Sequence, residues 1–151
     1  MNEPIGKSMS IIYRYRQILI NHKLKPYGLG SGQHIFLLNI ALNEGINQKE
    51  LTKLIKMDKA TTAKALKKLE DHGYIYRQCD HHDRRYNQLF LTEKGHETLP
   101  TIAHLLSEIT QELVQGMDEE ESQQFTQSLN KILDNAIGAI DALRQESKCK
   151  Y

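Results

Sequence analysis

The chain has no tryptophan, only 3 prolines and only 2 cysteines among its 151 residues. Two cysteines, Cys79 and Cys149, cannot build a disulfide framework, and they fit a reducing cytoplasm. So little proline excludes a collagen-like chain, and a hydrophobic fraction of 39% excludes a disordered one. No run approaches the roughly 18 apolar residues a membrane span needs. The opening MNEPIGKSMS lacks a basic stretch followed by an apolar one, so it does not read as a secretory leader. Also missing are Gly-x-Ser-x-Gly, a phosphate-binding loop, His-Glu-x-x-His and Cys-x-x-Cys. Neither an enzyme nor a cofactor is expected.

What is present is one domain's worth of chain, long enough to bury a core without staples. Its formal net charge of +1 hides an asymmetry. Residues 1–46 carry a net +3, residues 47–94 a net +4 and residues 95–151 a net −6. A polyanion is attracted to the first two thirds and repelled by the last.

Hydrophobic spacing organises the chain into helices and one hairpin. Met9, Ile12, Tyr15 or Arg16, and Leu19 step by three and four, which predicts a helix over 8–24 stopped by Pro26 and Gly28. Ser31 is expected to cap a second helix with Ile35, Leu38 and Leu42 on its inner face, closed by Gly45. Asn47 caps a third, with Leu51, Leu54 and Ile55 inward. Asp58 caps a fourth, with Thr62, Leu66 and Leu69 inward and Gly73 at its end. The period then changes. Residues 74–80 and 87–92 read as two strands around a charged tip, with Ile75, Leu89 and Leu91 on the covered face. Helical spacing returns at Leu99, Ile102, Leu106, Ile109 and Leu113. It resumes after Gly116, from near Asp118, at Phe125, Leu129, Ile132, Ala136, Ile140 and Leu143.

Two short helices joined by a tight turn and followed by a charged hairpin make a winged helix-turn-helix. The fold class is mainly α with a small β-hairpin wing. The second helix of such a pair is shaped for the DNA major groove. Its polar positions are Lys59, Thr61, Lys64, Lys67 and Lys68. Thr61 and Thr62 at its start offer amides and hydroxyls to a phosphate. Asn47 at the start of the preceding helix joins this set. At the hairpin tip, Arg84 and Arg85 follow Asp83, and planar arginines suit a narrow minor groove.

The stretch DKATTAKALKKLEDHGYIYRQCDHHDRRYNQLFLTEKG resembles the core of the MarR family of bacterial transcription regulators. An aspartate-capped helix leads into Leu-Glu-x-x-Gly-Tyr-Ile, and Asp80, Asp83, Arg84, Arg85, Leu91, Thr92 and Gly95 complete the pattern. The resemblance implies a cytoplasmic homodimer. It divides the chain into an N-terminal dimerisation helix (1–30), a winged DNA-binding domain (31–95) and C-terminal dimerisation helices (96–151). It implies a pseudo-palindromic operator as partner and repression released by a small ligand or an oxidant. Lys64 stands where the family often has an arginine that approaches DNA. The residues that could line an effector cleft are Tyr13, Arg16, Tyr27, His34 and Leu38, a set suited to a small aromatic acid.

Other readings compete. Zinc-sensing relatives use a histidine where His34 stands, plus histidines one turn apart on the fifth helix, where this chain offers His104 out of register. In the cluster CDHHD at 79–83, neighbouring strand residues face opposite ways, so no metal is assigned there. Peroxide-sensing relatives use a first-helix cysteine, which residues 8–24 lack; Cys149 is an exposed-tail thiol. Winged helices also serve as protein-docking modules that bind no DNA.

Overall fold

The computed structural model describes residues 3–30, 32–79, 81–82 and 87–148. Its contacts divide the chain into two compact bodies, Met1–Thr110 and Gln111–Tyr151.

The first body runs α1 (Glu3–Leu24), a short 3-10 turn (Lys25–Tyr27), α2 (Gln33–Leu42), α3 (Gln48–Leu54), α4 (Lys59–Asp71), β1 (Ile75–Cys79), β2 (Asn87–Leu91) and most of α5 (Glu93–Leu113). Helix α1 starts five residues earlier than the apolar spacing predicts, and Ile5, Gly6 and Lys7 in this added stretch are exposed, so the extension has no buried face there. Gly28, at φ 67°, turns the chain out of the 3-10 segment. Ser31, the expected cap of α2, lies outside the described residues; Gly32 holds the cap position with no side-chain bond.

One cluster fills this body. Ile20 and Leu24 from α1 join Phe36, Leu37 and Ile40 from α2, Leu51 from α3, and Leu66 and Leu69 from α4. The same cluster takes in Ile75, Leu89 and Leu91 from the hairpin and Ile102 and Ile109 from α5. Each such side chain contributes on the order of 1.5–3 kcal/mol by leaving water. The inner face of α2 departs from expectation. Ile35 and Leu38 are half-buried and Leu42 is 81% exposed. Helix α2 is apolar nearly all round, so spacing alone cannot choose its inner face. In α3, Leu51 is buried, Ile55 is half-buried and Leu54 is exposed, because the helix is only 7 residues long and turns one side inward.

The strands pair antiparallel, with Ile75 opposite Leu91, Arg77 opposite Leu89 and Cys79 opposite Asn87. The covered face carries Ile75, Leu89 and Leu91, as the alternation predicts. Beyond β2 a third chain segment joins the sheet. Gly45 N–H donates to the Leu89 carbonyl and Leu89 N–H to the Ile46 carbonyl, both at 2.9 Å, and Asn47 bridges Gln88.

The second body holds the end of α5, a turn at Gly116 (φ 93°) and α6 (Glu119–Lys148). Asp118 caps α6 reciprocally: its Oδ1 accepts from Glu121 N–H and its own N–H donates to Glu121 Oε2, each at 2.9 Å. Phe125, Leu129, Leu133 and Ile140 along α6 are 39–56% exposed. No described helix is long and apolar enough to cross a membrane.

Candidate nucleic-acid interface

The helix-turn-helix is set by its caps. Asn47 and Glu50 form a capping box at α3: Asn47 Oδ1 accepts from Glu50 N–H at 2.9 Å, and Glu50 Oε2 accepts from Asn47 N–H at 3.3 Å. The turn between α3 and α4 places Lys56 at φ 53°, a left-handed conformation usually given to glycine. Asp58 then starts α4. Its Oδ1 accepts from Thr61 N–H at 2.8 Å and its Oδ2 from the Thr61 hydroxyl at 2.6 Å. These bonds, the hydroxyl first, hold the Asp58 carboxyl below the usual carboxylate value of 3.8.

Those bonds correct the role expected for the two threonines. The Asp58 carbonyl accepts Thr62 N–H at 3.0 Å and the Thr62 hydroxyl at 2.9 Å. The amides and hydroxyls of Thr61 and Thr62 are therefore directed to Asp58. Thr62 is 0% exposed and belongs to the core, so it leaves the candidate set. Thr61 stays exposed.

Thr62, Ala65, Leu66 and Leu69 turn inward on α4. The opposite face therefore carries Lys59, Thr61, Lys64, Lys67 and Lys68, all exposed. Lys67 pairs with Asp71 one turn on at 3.3 Å, with both side chains more than half exposed, a pair of small energetic weight. Arg84 and Arg85 lie outside the described residues, so their contact role rests on the sequence.

The structure adds residues that the spacing of the helices did not single out. A basic cavity of about 560 Å³ opens between α3, the start of α4 and the strands. It is lined by Asn47, Gln48, Lys49, Lys53, Lys59 and Arg77, among others. Lys49 and Lys53 are one turn apart on α3, a signal present in the sequence. Arg77 carried another, since alternation puts it on the same strand face as the buried Ile75, opposite Leu89.

At the far end, α4 is bound to its neighbours. His72 and Gly73 end the helix, with Gly73 at φ 72°. Lys94 Nζ donates to the His72 carbonyl at 2.6 Å and stands 4.4 Å from the centre of the Tyr74 ring. The Thr92 hydroxyl donates to the Gly73 carbonyl at 2.5 Å. The Tyr74 hydroxyl donates to the Tyr27 carbonyl at 2.5 Å, tying the end of α4 to the segment after α1. Burial, then the neighbouring Tyr27, raises the Tyr74 hydroxyl above its usual 10.0.

The residues expected to line an effector cleft lie in the first body. Tyr13 is 64% exposed, Arg16, Tyr27 and Leu38 are half-buried, and His34 is buried. None of the five lines the basic cavity or a second, shallower one of about 710 Å³ around Gly45, Ile46 and Leu54. Tyr27 contributes its carbonyl to Tyr74. His104 pairs with Glu108 at 3.5 Å. Among the described residues no group of three or more His, Cys, Asp or Glu side chains could hold a metal ion.

An N-capped helix pair, a lysine face and an anchored hairpin define a winged helix-turn-helix. Residues 30–86 match the MarR family. Over all 151 residues of both chains, the sequence is 32% identical to the HTH-type transcriptional regulator YybA of Bacillus subtilis (strain 168). A MarR transcriptional regulator from Methanosarcina mazei Go1 is similar at 43% identity and a TM-score of 0.84, over 91% of this chain and 99% of that one. A MarR family regulator from Listeria monocytogenes, solved in complex with a 26mer DNA, is similar at 30% identity and a TM-score of 0.80. That match covers 88% of this chain and 89% of the other. The chain belongs to the MarR family of transcriptional regulators.

Proposed function

We propose that this chain is a cytoplasmic homodimeric repressor that binds a pseudo-palindromic operator in double-stranded DNA and acts by binding, without catalysis. The observation that carries this is the exposed lysine face of α4, opposite a face locked into the core by Thr62, Leu66 and Leu69. Lys64 and Thr61 lie nearer the entering end than Lys67 and Lys68 and read base edges, Thr61 through its methyl group now that its hydroxyl serves Asp58. Lys59, Lys67 and Lys68 neutralise phosphates, with Asn47 and the basic cavity beside them. Arg84 and Arg85 enter the minor groove from the wing. The similar Listeria monocytogenes regulator was solved with DNA, which supports the same partner here.

Dimerisation uses residues 1–30 and 96–151. The exposed apolar stripes at Ile5, Met9 and Ile12 on α1 and at Phe125, Leu129 and Ile140 on α6 support that division. Release by a small aromatic acid, held by Arg16 with Tyr13, Tyr27, His34 and Leu38, is the effector proposal; the ligand must prefer the dimer form that does not fit DNA.

The test is footprinting on the DNA upstream of the protein's own coding region, followed by anisotropy titration of the protected duplex and of a scrambled one. Tighter binding to the protected duplex is expected. Replacing Arg84 or Arg85 by Ala should then weaken binding by about 1–3 kcal/mol. Equal affinity for both duplexes would contradict operator recognition.

A further inference from the structure

We propose that Arg77 is a positioning residue that fixes the wing against the recognition helix, and so sets the wing's reach into DNA, without touching DNA itself. The proposal rests on the DNA-binding function above.

The covered face of the hairpin is aliphatic at Ile75, Leu89 and Leu91, yet β1 places Arg77 on it, opposite Leu89. An arginine at such a position needs partners, and among the described residues it bonds one on each of two helices. Its Nε–H donates to Glu70 Oε1 on α4 at 3.0 Å, and its Nη1 donates to Gln48 Oε1 on α3 at 3.0 Å. The Arg77 and Glu70 side chains are 28% and 31% exposed, so water screens this pair less than an exposed one. A guanidinium is a rigid fork, and bonds along two of its edges fix a direction that a single contact leaves open.

The wing needs such a fixing point. A two-stranded hairpin is marginal by itself. Strand β2 is held by backbone bonds to Gly45 and Ile46. Among the described residues strand β1 pairs with β2 alone, and its other edge has no neighbouring strand there. Past Arg77, both Gln78 and Cys79 are exposed. Arg77 thus attaches β1 to two helices, α4 and α3, ahead of the tip that carries Arg84 and Arg85. A small rotation there is amplified at the tip.

Arg77 also lines the basic cavity with Lys59, so a direct phosphate contact is the competing role. The two roles predict opposite effects at Glu70. If Arg77 met DNA itself, Glu70→Gln would remove a negative charge facing a polyanion and tighten binding. As a positioning pair, the same change loosens the wing and weakens binding.

The experiment measures operator affinity and hydroxyl-radical footprints for the full-length parent, Glu70→Gln, Arg77→Lys and the double variant, with thermal unfolding of each as the control. Arg77→Lys keeps the charge and loses the fork. Each single variant should lose about tenfold in operator affinity. The double variant should lose no more than either single one, because both break one coupling. Protection at the flanking minor grooves should fade while the central major-groove protection stays. If Glu70→Gln does not fold, Arg77→Lys supplies the same footprint readout. A parent that binds while Glu70→Gln binds as well or better, or losses that add in the double variant, would overturn the proposal. A parent that binds no duplex would overturn the DNA-binding function as well.

Discussion

Tyr74 does three things at once: its ring is buried in the core, its hydroxyl bonds the Tyr27 carbonyl, and Lys94 covers its face. Tyr74→Phe keeps the ring and removes one hydrogen bond, leaving the Tyr27 carbonyl in need of a partner. A loss of about 0.5–1.5 kcal/mol in unfolding free energy is expected. The raised hydroxyl adds a pH signature. Protonated Tyr74 is favoured in the folded state, so its contribution is whole below 10.0 and is lost as the pH rises through the raised value. The alkaline fall in stability should be shallower in Tyr74→Phe than in the parent; chemical denaturation between neutral pH and pH values above 10.0 checks this. On the lysine face of α4, Lys64→Ala should narrow the gap between operator and random duplex, whereas Lys68→Ala should weaken both alike. Equal losses on both duplexes for Lys64→Ala would remove it from the base-reading set.

Among the elements, the junction between β2 and α5 is the tightest. Thr92 N–H donates to the Tyr74 carbonyl at 3.0 Å, and Gly95 N–H donates to the Thr92 hydroxyl at 3.1 Å. A Cβ at Gly95 would overlap the Tyr74 carbonyl oxygen and press on Leu91. Gly95→Ala should therefore cost about 1–3 kcal/mol, read as a lowered thermal midpoint, and should disturb the end of α4 more than its start. This junction was legible in the sequence as Leu91, Thr92 and Gly95. So were the caps of α3 and α4, Asn47 and Asp58, because such side chains accept from the first amides of a helix, and so was the start of α6 near Asp118. The inner faces of α2 and α3 were less legible. Leu42 and Leu54 look like core residues by type, and only the tertiary packing decides which sides of an apolar helix and a short one are covered. The bonds made by the threonines of α4 were not legible, for a different reason. A helix start does offer free donors in general, but Asp58 had already claimed those of Thr61 and Thr62. The Arg77 bridge joins residues 29 and 7 positions apart, and no local pattern announces such a contact.

For the molecule as a whole, charge and apolar surface are divided along the chain. The basic residues gather by the winged segment and the acidic ones after residue 95. The long helix α6 keeps Phe125, Leu129, Leu133 and Ile140 at 39–56% exposure, a seam that a lone chain would leave in water. Sedimentation at micromolar concentration should find a dimer, and replacing Phe125 and Leu129 together by Lys should release monomers with weakened operator binding. A two-fold dimer presents two α4 helices and two wings, so phosphate contacts are doubled and bound counterions are released in proportion. The most direct measurement is operator affinity across a series of salt concentrations. A homodimer held by phosphate contacts should show a steep linear fall of log affinity with log salt, made shallower by Arg84→Ala or Lys68→Ala. An affinity independent of salt, or a slope that neither substitution changes, would contradict it.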